Sequence, residues 1–448
     1  MTDTPERGPQ GSRPPPTPGY RWFVLVAVSL AMFGNYYVFD ALNPVGPLLE
    51  SQLGFGQAQI GALDSAYNLA ALLVLILGGV VVDRVGTKRA MILFGLVTAL
   101  GGLVIAFGRE YPVMVAGRFV LGLGAEPLIV AATTVLGRWF KGKELAFAMG
   151  LNLMIARIGS VAADNSASWA RGLFASWQPP LLLAAALGLT TVAGGLLYAA
   201  LERAAERRFD LGRAGPTDRL VLGDLVRFGR SYWLVVGLCV TFYSAVFPFR
   251  RFANLFFEQA HGASSQQAGF MNSLLPWVAM FATPVLGLVV DRIGHRALLM
   301  TVGSAMLIPS FLWMAHGAMP LPQPVDLPGF LSWLPLMWPI PAPVALLGLS
   351  FSLVPAILWP AVTYLVDEKR LGTAYALMTF CQQIGWAALS WTVGKANDVA
   401  GASAANPAGY LPGMWVFASL GILGLAFSAL LWRAERGHGL ETVKARGA

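Results

Sequence analysis

Apolar runs long enough to cross a lipid bilayer recur along the whole chain, separated by polar segments. A membrane-spanning helix needs about 20 predominantly apolar residues to cross ~30 Å of hydrocarbon. About twelve such runs are present, and we place them at 22–45, 59–82, 90–108, 112–136, 144–170, 179–201, 232–257, 266–290, 297–315, 342–366, 371–394 and 410–432. The pattern predicts an all-α membrane protein with twelve transmembrane helices.

Polar side chains are unevenly distributed among these predicted spans. The third, sixth, ninth and twelfth spans contain no Asp, Glu, Lys or Arg. Others carry polar residues at helical spacing, namely Tyr36, Asp40 and Asn43 in the first, Asp64, Tyr67 and Asn68 in the second, Arg157 and Asp164 in the fifth, and Thr379, Gln382, Gln383 and Trp386 in the eleventh. Two polar spans in each group of three indicate three-helix repeats, as expected for an alternating-access transporter.

Two charged residues, Glu126 and Arg157, lie near the middle of the fourth and fifth spans. An ionisable side chain at this depth costs several kcal/mol unless it faces a polar cavity and finds a partner. A carboxylate and a guanidinium on consecutive helices suit a ligand that carries both charges. The alternative is that the two side chains pair with each other in a buried structural ion pair.

A short motif occurs twice and divides the chain. Residues 79–89 read GVVVDRVGTKR and residues 287–296 read GLVVDRIGHR, so the copies lie 208 residues apart and close the second and eighth spans. This repeat predicts two pseudo-symmetric six-helix bundles. We expect a disordered tail at 1–21, bundles at 22–201 and 231–436, a linker with a surface helix at 202–230, a structured outer loop at 317–341, and a second tail at 437–448.

The net charge of +8 is a topology signal. With the amino terminus inside, the tails and inner loops hold all but seven of the 31 Lys and Arg, the exceptions being Arg109, Arg118, Arg157, Arg171, Arg250, Arg251 and Lys395. This bias is the positive-inside rule, and it predicts that both termini are cytoplasmic. The basic excess therefore does not indicate a nucleic-acid partner, and we expect the lipid bilayer and a small molecule as partners of a functional monomer.

No constellation for soluble enzyme chemistry is present in the sequence. The four histidines (His261, His295, His316 and His438) have no metal-ligand spacing, and Cys239 and Cys381 both fall inside spans. The glycine-rich runs lack the lysine of a phosphate-binding loop. We expect no cofactor, no metal site and no enzymatic activity.

The repeated motif resembles the signature of the major facilitator superfamily, and it suggests a latch. Asp83 and Asp291, each followed by an arginine (Arg84 and Arg292), can face the positive N-terminal end of a helix in the opposite bundle. We expect Asp83 near residues 370–373 and Asp291 near 144–146 in a state closed to the cytoplasm. The alternative is a basic loop that only sets topology.

Further residues have two open interpretations. Arg118 belongs to an Arg-x-x-x-Gly-x-Gly element that also resembles the superfamily, and a structural tie is favoured over substrate contact. Asp40, Asp64 and Asp164 lie toward the outer ends of their spans, where they are either extracellular gates or interfacial residues without a role.

Three stretches resemble the lysosomal dipeptide transporter branch of this superfamily: residues 117–160, Val246–Phe249 and residues 358–378, with a looser match over Tyr36–Pro44. The resemblance implies facilitated diffusion of dipeptides, and the branch's paired Glu and Arg fall on Glu126 and Arg157. A dipeptide is a zwitterion whose charged ends lie about 6–7 Å apart in an extended chain. Glu126 would then bind the ammonium and Arg157 the carboxylate.

The rest of such a pocket is expected to be aromatic and amide side chains. The candidates are Tyr36, Tyr37, Tyr67, Asn68, Asn152, Tyr243, Asn272, Trp277, Trp359 and Gln382, each of which also suits core packing. The chain departs from the branch at Arg250 and Arg251, which suggest a preference for acidic ligands. The chain also lacks glycosylation acceptors, and its amino-terminal tail lacks a dileucine sorting signal.

Two rival functions remain open. One is a proton-coupled carrier of amino acids or other organic anions that uses Glu126 or Asp40 as the proton site, and the other is a membrane sensor or scaffold that transports nothing. The few lysines, six against 25 arginines, favour a bacterial origin and hence the bacterial inner membrane.

Overall fold

The computed structural model describes residues 16–140, 144–209, 228–326, 328, 336–367 and 370–435, apart from the side chains at 76–80, 83, 146 and 291. These residues form α1 (Pro18–Asp40), α2 (Leu42–Leu53), α3 (Gln57–Val85), α4 (Thr87–Phe107), α5 (Tyr111–Phe140), α6 (Leu145–Asp164), α7 (Ser166–Trp169), α8 (Gln178–Arg208), α9 (Arg230–His261), α10 (Ser265–Ile293), α11 (Arg296–His316), α12 (Ala342–Leu365), α13 (Leu371–Val399) and α14 (Leu411–Ala434). Two strands, β1 (Gln323–Pro324) and β2 (Met337–Trp338), pair antiparallel in the loop after α11. The predicted all-α class is confirmed.

Ten segments of the described chain are long and apolar enough to cross a membrane, and α1 and α2 together make the first of them. The two other long helices, α6 and α13, carry polar residues at positions such as Arg157, Asp164, Gln382 and Gln383, which lower their hydropathy. If these two helices also span the membrane, the described chain agrees with the expected twelve spans.

The first predicted span is broken where the sequence contains a proline. Pro44 has no N–H to donate to the carbonyl of Asp40, so the helical hydrogen-bond ladder cannot run through this point. Accordingly α1 ends at Asp40, and α2 carries the chain on to Leu53, beyond the predicted limit at residue 45.

Two six-helix bundles pack with the same internal pattern. We call α1–α8 the N-half and α9–α14 the C-half. In the N-half, α4 packs on α5 and α8, α3 on α5, and α1 on α6 and α8. In the C-half, α11 packs on α12 and α14, α10 on α12, and α9 on α13 and α14. These pairs correspond one to one, which confirms the predicted pseudo-symmetry.

Both ends of the described chain lie on one side of the bundle, which we call the terminus side. Tyr20 near the start of α1 donates to the carbonyl of Leu201 in α8, and Ser231 of α9 donates to Glu435 after α14, each at 2.5 Å. The other side is called the distal side. Residues 1–15 of the predicted tail at 1–21, residues 210–227 of the predicted linker at 202–230, and the residues from 436 onward lie outside the described residues, so the predictions made for them stay predictions. In the described part, α1 already begins at Pro18 and α8 continues to Arg208.

The two halves meet on the distal side. The N-terminal end of α3 packs along the C-terminal end of α13, and the C-terminal end of α6 packs on the start of α10. Glycines permit this approach, because a Cβ at Gly61 or Gly269 would collide with the backbone of the other half, at Ser390 and Asp164 respectively. Gly287, near the terminus-side end of α10, has no atom within 4 Å of such a Cβ. The halves are therefore closed on the distal side.

Candidate functional site

Glu126 and Arg157 lie on adjacent helices of the N-half and are both half-buried. Glu126 stands near the middle of α5, where its Oε1 accepts a hydrogen bond of 2.8 Å from the Tyr67 hydroxyl of α3. The Arg157 guanidinium of α6 lies 5.8 Å from the ring centroid of Tyr36 and 5.4 Å from that of Phe351. Among the ion pairs of the described residues none joins Glu126 to Arg157. Each charge is thus held by aromatic side chains and keeps capacity for a ligand.

The C-half presents aromatic side chains to this region. Phe351 of α12 reaches the Arg157 guanidinium across the interface. Trp359, also of α12, donates its indole N–H to the Tyr243 hydroxyl at 2.8 Å, and Tyr243 stacks on Phe247 with centroids 5.6 Å apart. The wall opposite the two charges is therefore aromatic, with one polar pair.

The remaining predicted lining residues have local partners. Asn152 accepts from the Ser29 hydroxyl at 3.0 Å, and buried Gln382 accepts from the Cys239 thiol at 3.5 Å. Asn68 is buried and donates to its own helix at the Asp64 carbonyl, while Trp277 stacks on exposed Phe281. Tyr37 is buried and packs near Trp169 on the distal side.

A buried ion-pair network joins the halves on the distal side. Arg250 of α9 donates Nη1 to Asp40 at 3.2 Å and Nη2 to Asp164 at 2.7 Å. Asn272 of α10 donates to Asp164 at 3.4 Å and to the Arg250 carbonyl at 3.0 Å. Asn43 of α2 donates to Asp164 at 2.8 Å. The structure thus places Asn272 in this distal network rather than beside Glu126.

Asp64 is the second centre of the distal network. Its Oδ1 accepts from Arg251 Nη2 at 2.9 Å and from Arg118 Nη2 at 3.0 Å, and its Oδ2 accepts from Trp386 Nε1 at 2.7 Å and Ser390 Oγ at 3.0 Å. All five side chains are buried. Arg251, Trp386 and Ser390 belong to the C-half, so this one carboxylate bridges the two bundles.

Arg118 ties helices within the N-half. Besides its ion pair with Asp64, it donates to the carbonyls of Leu63 and Phe39, each at 3.3 Å. Its guanidinium also lies about 5 Å from the rings of Phe39 and Tyr67. This geometry fits the structural tie favoured from the sequence.

A carboxylate also caps a helix across the interface. Asp398 near the end of α13 accepts from the backbone N–H of Gln57 and of Ala58, each at 2.8 Å. These amides open α3, so an exposed side chain of the C-half satisfies the N-terminus of an N-half helix.

The predicted latch residues are only partly visible. The side chains of Asp83 and Asp291 lie outside the described residues, so the latch stays a prediction. Arg84 and Arg292 are exposed at the terminus side. Among the described residues no group of His, Cys, Asp and Glu has a metal-binding arrangement.

Nothing local in the sequence indicates that Arg250 and Arg251 serve the interface. Their acceptors lie 86 to 210 positions away along the chain, so no local spacing connects them. The only available signal was their position on an apolar span, where a charge requires a partner.

Comparisons with known proteins point to one family. The sequence model of the protein family named Major Facilitator Superfamily matches residues 28–390 of this chain. Relatives include the lysosomal dipeptide transporter MFSD1 of Danio rerio, 31% identical over 399 residues (85% of this chain, 82% of the relative), and that of Homo sapiens, 31% identical over 398 residues (85% and 81%).

Similar solved structures include the nucleoside transporter NupG, with a TM-score of 0.68 at 16% identity over 91% of this chain and 98% of that one. Another is a bacterial homologue of the human lysosomal transporter Spinster in an inward-facing, unoccupied conformation, with a TM-score of 0.68 at 17% identity over 93% and 98%. At these identities the likeness shows the fold alone.

Proposed function

We propose that this chain, which belongs to the major facilitator superfamily, moves free dipeptides across the membrane by alternating access. The resemblance noted in the sequence is thereby confirmed at the level of the family. A multi-pass membrane transporter follows from it, and such a protein takes a small-molecule substrate. The dipeptide, the coupling mode and the residues that bind are our proposal.

One observation carries the dipeptide assignment. Glu126 and Arg157 are half-buried on adjacent helices, and neither has an ion-pair partner among the described residues. Two unneutralised charges in a membrane interior are costly, and a zwitterion of suitable length neutralises both. The relatives at 31% identity carry the name of a dipeptide transporter, which supports the same choice.

The arrangement of the halves supports alternating access. The distal side is sealed by the Arg250 and Asp64 networks, whereas Gly287 at the other end of α10 stands in open space. By the positive-inside rule we assign the terminus side to the cytoplasm of a bacterial inner membrane. The distally closed conformation is then one end state of this cycle, and the chain acts as a monomer because each half supplies one wall of the path.

Uniport is the coupling mode we favour. Asp40, one of the two proton sites considered, is buried and paired with Arg250. A paired carboxylate of this kind has no exposed face for proton exchange in the present state. Glu126 remains the site through which a proton-coupled carrier would work.

Uptake into proteoliposomes tests the function. We expect labelled leucyl-alanine to enter vesicles that contain the purified chain, at the same initial rate with and without a pH gradient. Acceleration by an inward proton gradient would indicate a proton-coupled carrier instead. If neither dipeptides nor amino acids are taken up, the remaining hypothesis is a membrane sensor or scaffold that transports nothing.

Matched variants link uptake to the site. Glu126→Gln and Arg157→Lys should abolish uptake, while the same changes at exposed residues, Glu110→Gln before α5 and Arg171→Lys on the distal side, should leave it intact. Loss in all four variants would mean that the changes disturb the protein generally.

A further inference from the structure

The acceptors of the Arg250 and Arg251 guanidiniums all come from the other half of the molecule. Arg250 donates to Asp40 and Asp164, and Arg251 donates to Asp64 and to the side-chain oxygen of Asn43 at 2.7 Å. In the described residues no side chain of α9–α14 accepts a hydrogen bond from either guanidinium. The Nε of Arg250 is buried and has no hydrogen-bond partner in the part of the chain that the structure describes. The pair is therefore neutralised only while the halves are in contact.

The charges of the network balance in the closed arrangement only. Three carboxylates (Asp40, Asp64 and Asp164) face three guanidiniums (Arg118, Arg250 and Arg251). Arg118 stays with Asp64 in the N-half when the halves part. Separation then leaves an excess of two negative charges on the N-half and two unpaired cations on the C-half.

We propose that Arg250 and Arg251 form a carboxylate-binding site that becomes available when the halves separate distally, and that Asp40, Asp64 and Asp164 occupy it in the closed state. A guanidinium binds a carboxylate through two parallel N–H donors. The two neighbouring guanidiniums have no acceptors in their own half. When the halves separate, they therefore attract an external carboxylate in place of the aspartates.

The site lies on the path to Arg157. Arg250 contacts Asp164, which is seven residues from Arg157 along α6, about 10 Å at 1.5 Å per residue. A ligand entering distally would place its carboxylate on the arginine pair first and on Arg157 two helical turns deeper. The identity of this ligand rests on the proposed function, whereas the anion site itself does not.

Competition between an external anion and the three aspartates regulates the opening of the distal side in this proposal. An anion that binds only the distally open state shifts the equilibrium toward that state by its differential affinity. External carboxylate should thus open the distal side, and the internal aspartates should oppose it.

A cysteine reporter measures distal opening without any dipeptide. Gly46 of α2 faces α9, and a Cβ there would lie 3.7 Å from Leu255 Cδ1, so Gly46→Cys fits in the closed interface. In a full chain that also carries Cys239→Ser and Cys381→Ser, the rate of reaction with neutral N-ethylmaleimide reports separation. We expect sodium acetate to raise this rate about fivefold, the lower end of common coupling effects. Sodium chloride at the same ionic strength should do so much less.

Variants separate the arginine pair from its internal occupants. With Arg250→Gln and Arg251→Gln together, labelling should be fast without acetate and no longer respond to it. Asp164→Asn keeps both arginines and removes one of the aspartates that compete with acetate. The labelling rate without acetate should therefore rise, and a lower acetate concentration should give the half-maximal increase in rate. Arg171→Gln removes an exposed distal cation and should keep the original response.

Several results would overturn the proposal. Equal acceleration by chloride and acetate would reduce the effect to screening. If the double arginine variant still responds to acetate, the anion binds at another site. If neither the reporter chain nor its Asp164→Asn variant responds to acetate, the two arginines do not form a carboxylate-binding site. Failure of dipeptide uptake would leave these labelling results unchanged, so the two proposals fail separately.

Discussion

Asp398→Asn should loosen the distal closure by a small and calculable amount. The carboxylate accepts two backbone N–H bonds of 2.8 Å at the N-terminus of α3, and because donor and acceptor belong to different halves, the interaction exists only in the closed state. A charge at an exposed helix N-terminus contributes roughly 0.3–1 kcal/mol. Asparagine keeps one acceptor oxygen and loses the charge. At about 1 kcal/mol the open population rises about fivefold.

The Gly46→Cys labelling rate measures this change, and salt identifies its origin. Near 1 M salt the Debye length falls to about 3 Å, so Asp398→Asn and the unchanged chain should converge there. Asp326→Asn, which removes an exposed distal carboxylate, is the matched control and should have no effect. An unchanged rate in Asp398→Asn at low salt, or a difference that survives high salt, would refute the reasoning.

Three further predictions concern ligand, fold and latch. N-acetylated or C-amidated dipeptides should bind more weakly than free ones by about 2–5 kcal/mol, because each leaves Glu126 or Arg157 unpaired; equal affinity in calorimetry would indicate side-chain recognition instead. Arg118→Gln should destabilise the fold by about 1.5–3 kcal/mol, because Asp64 loses one charge-assisted hydrogen bond while it keeps Arg251; an unchanged melting temperature would contradict this. Asp83→Asn should raise the labelling of single cysteines introduced on the cytoplasmic side and lower transport more than binding; unchanged labelling together with intact transport would contradict the latch.

The architecture was predictable because it depends on local patterns. Each span is a contiguous apolar run, and the repeated Gly-x-x-x-Asp-Arg motif marks the same point in both halves. Even the exception had a local cause, since Pro44 breaks the ladder that α1 would otherwise continue. The approximate positions of the spans and the two-bundle plan therefore follow from the sequence by simple rules of length and hydrogen bonding.

The distal network was not predictable because its members are brought together only by the packing of the halves. Asp40, Asp64 and Asp164 are interpretable from the sequence as gates or as interfacial residues, and nothing local decides between them. Arg250 and Arg251 suggested acidic ligands, whereas in this structure their acceptors are those aspartates. Pairing across 86 to 210 positions is a property of the fold, not of any motif.

Ligand-induced thermal stabilisation shows whether one free dipeptide is held between Glu126 and Arg157. A ligand that binds only the folded protein stabilises it by RT ln(1 + [L]/Kd). With leucyl-alanine in excess, the unchanged chain and the controls Glu110→Gln and Arg171→Lys should show a concentration-dependent rise in melting temperature. Glu126→Gln and Arg157→Lys, still folded, should show none. A full shift retained in either of these two variants would mean that the dipeptide is not held between these two charges.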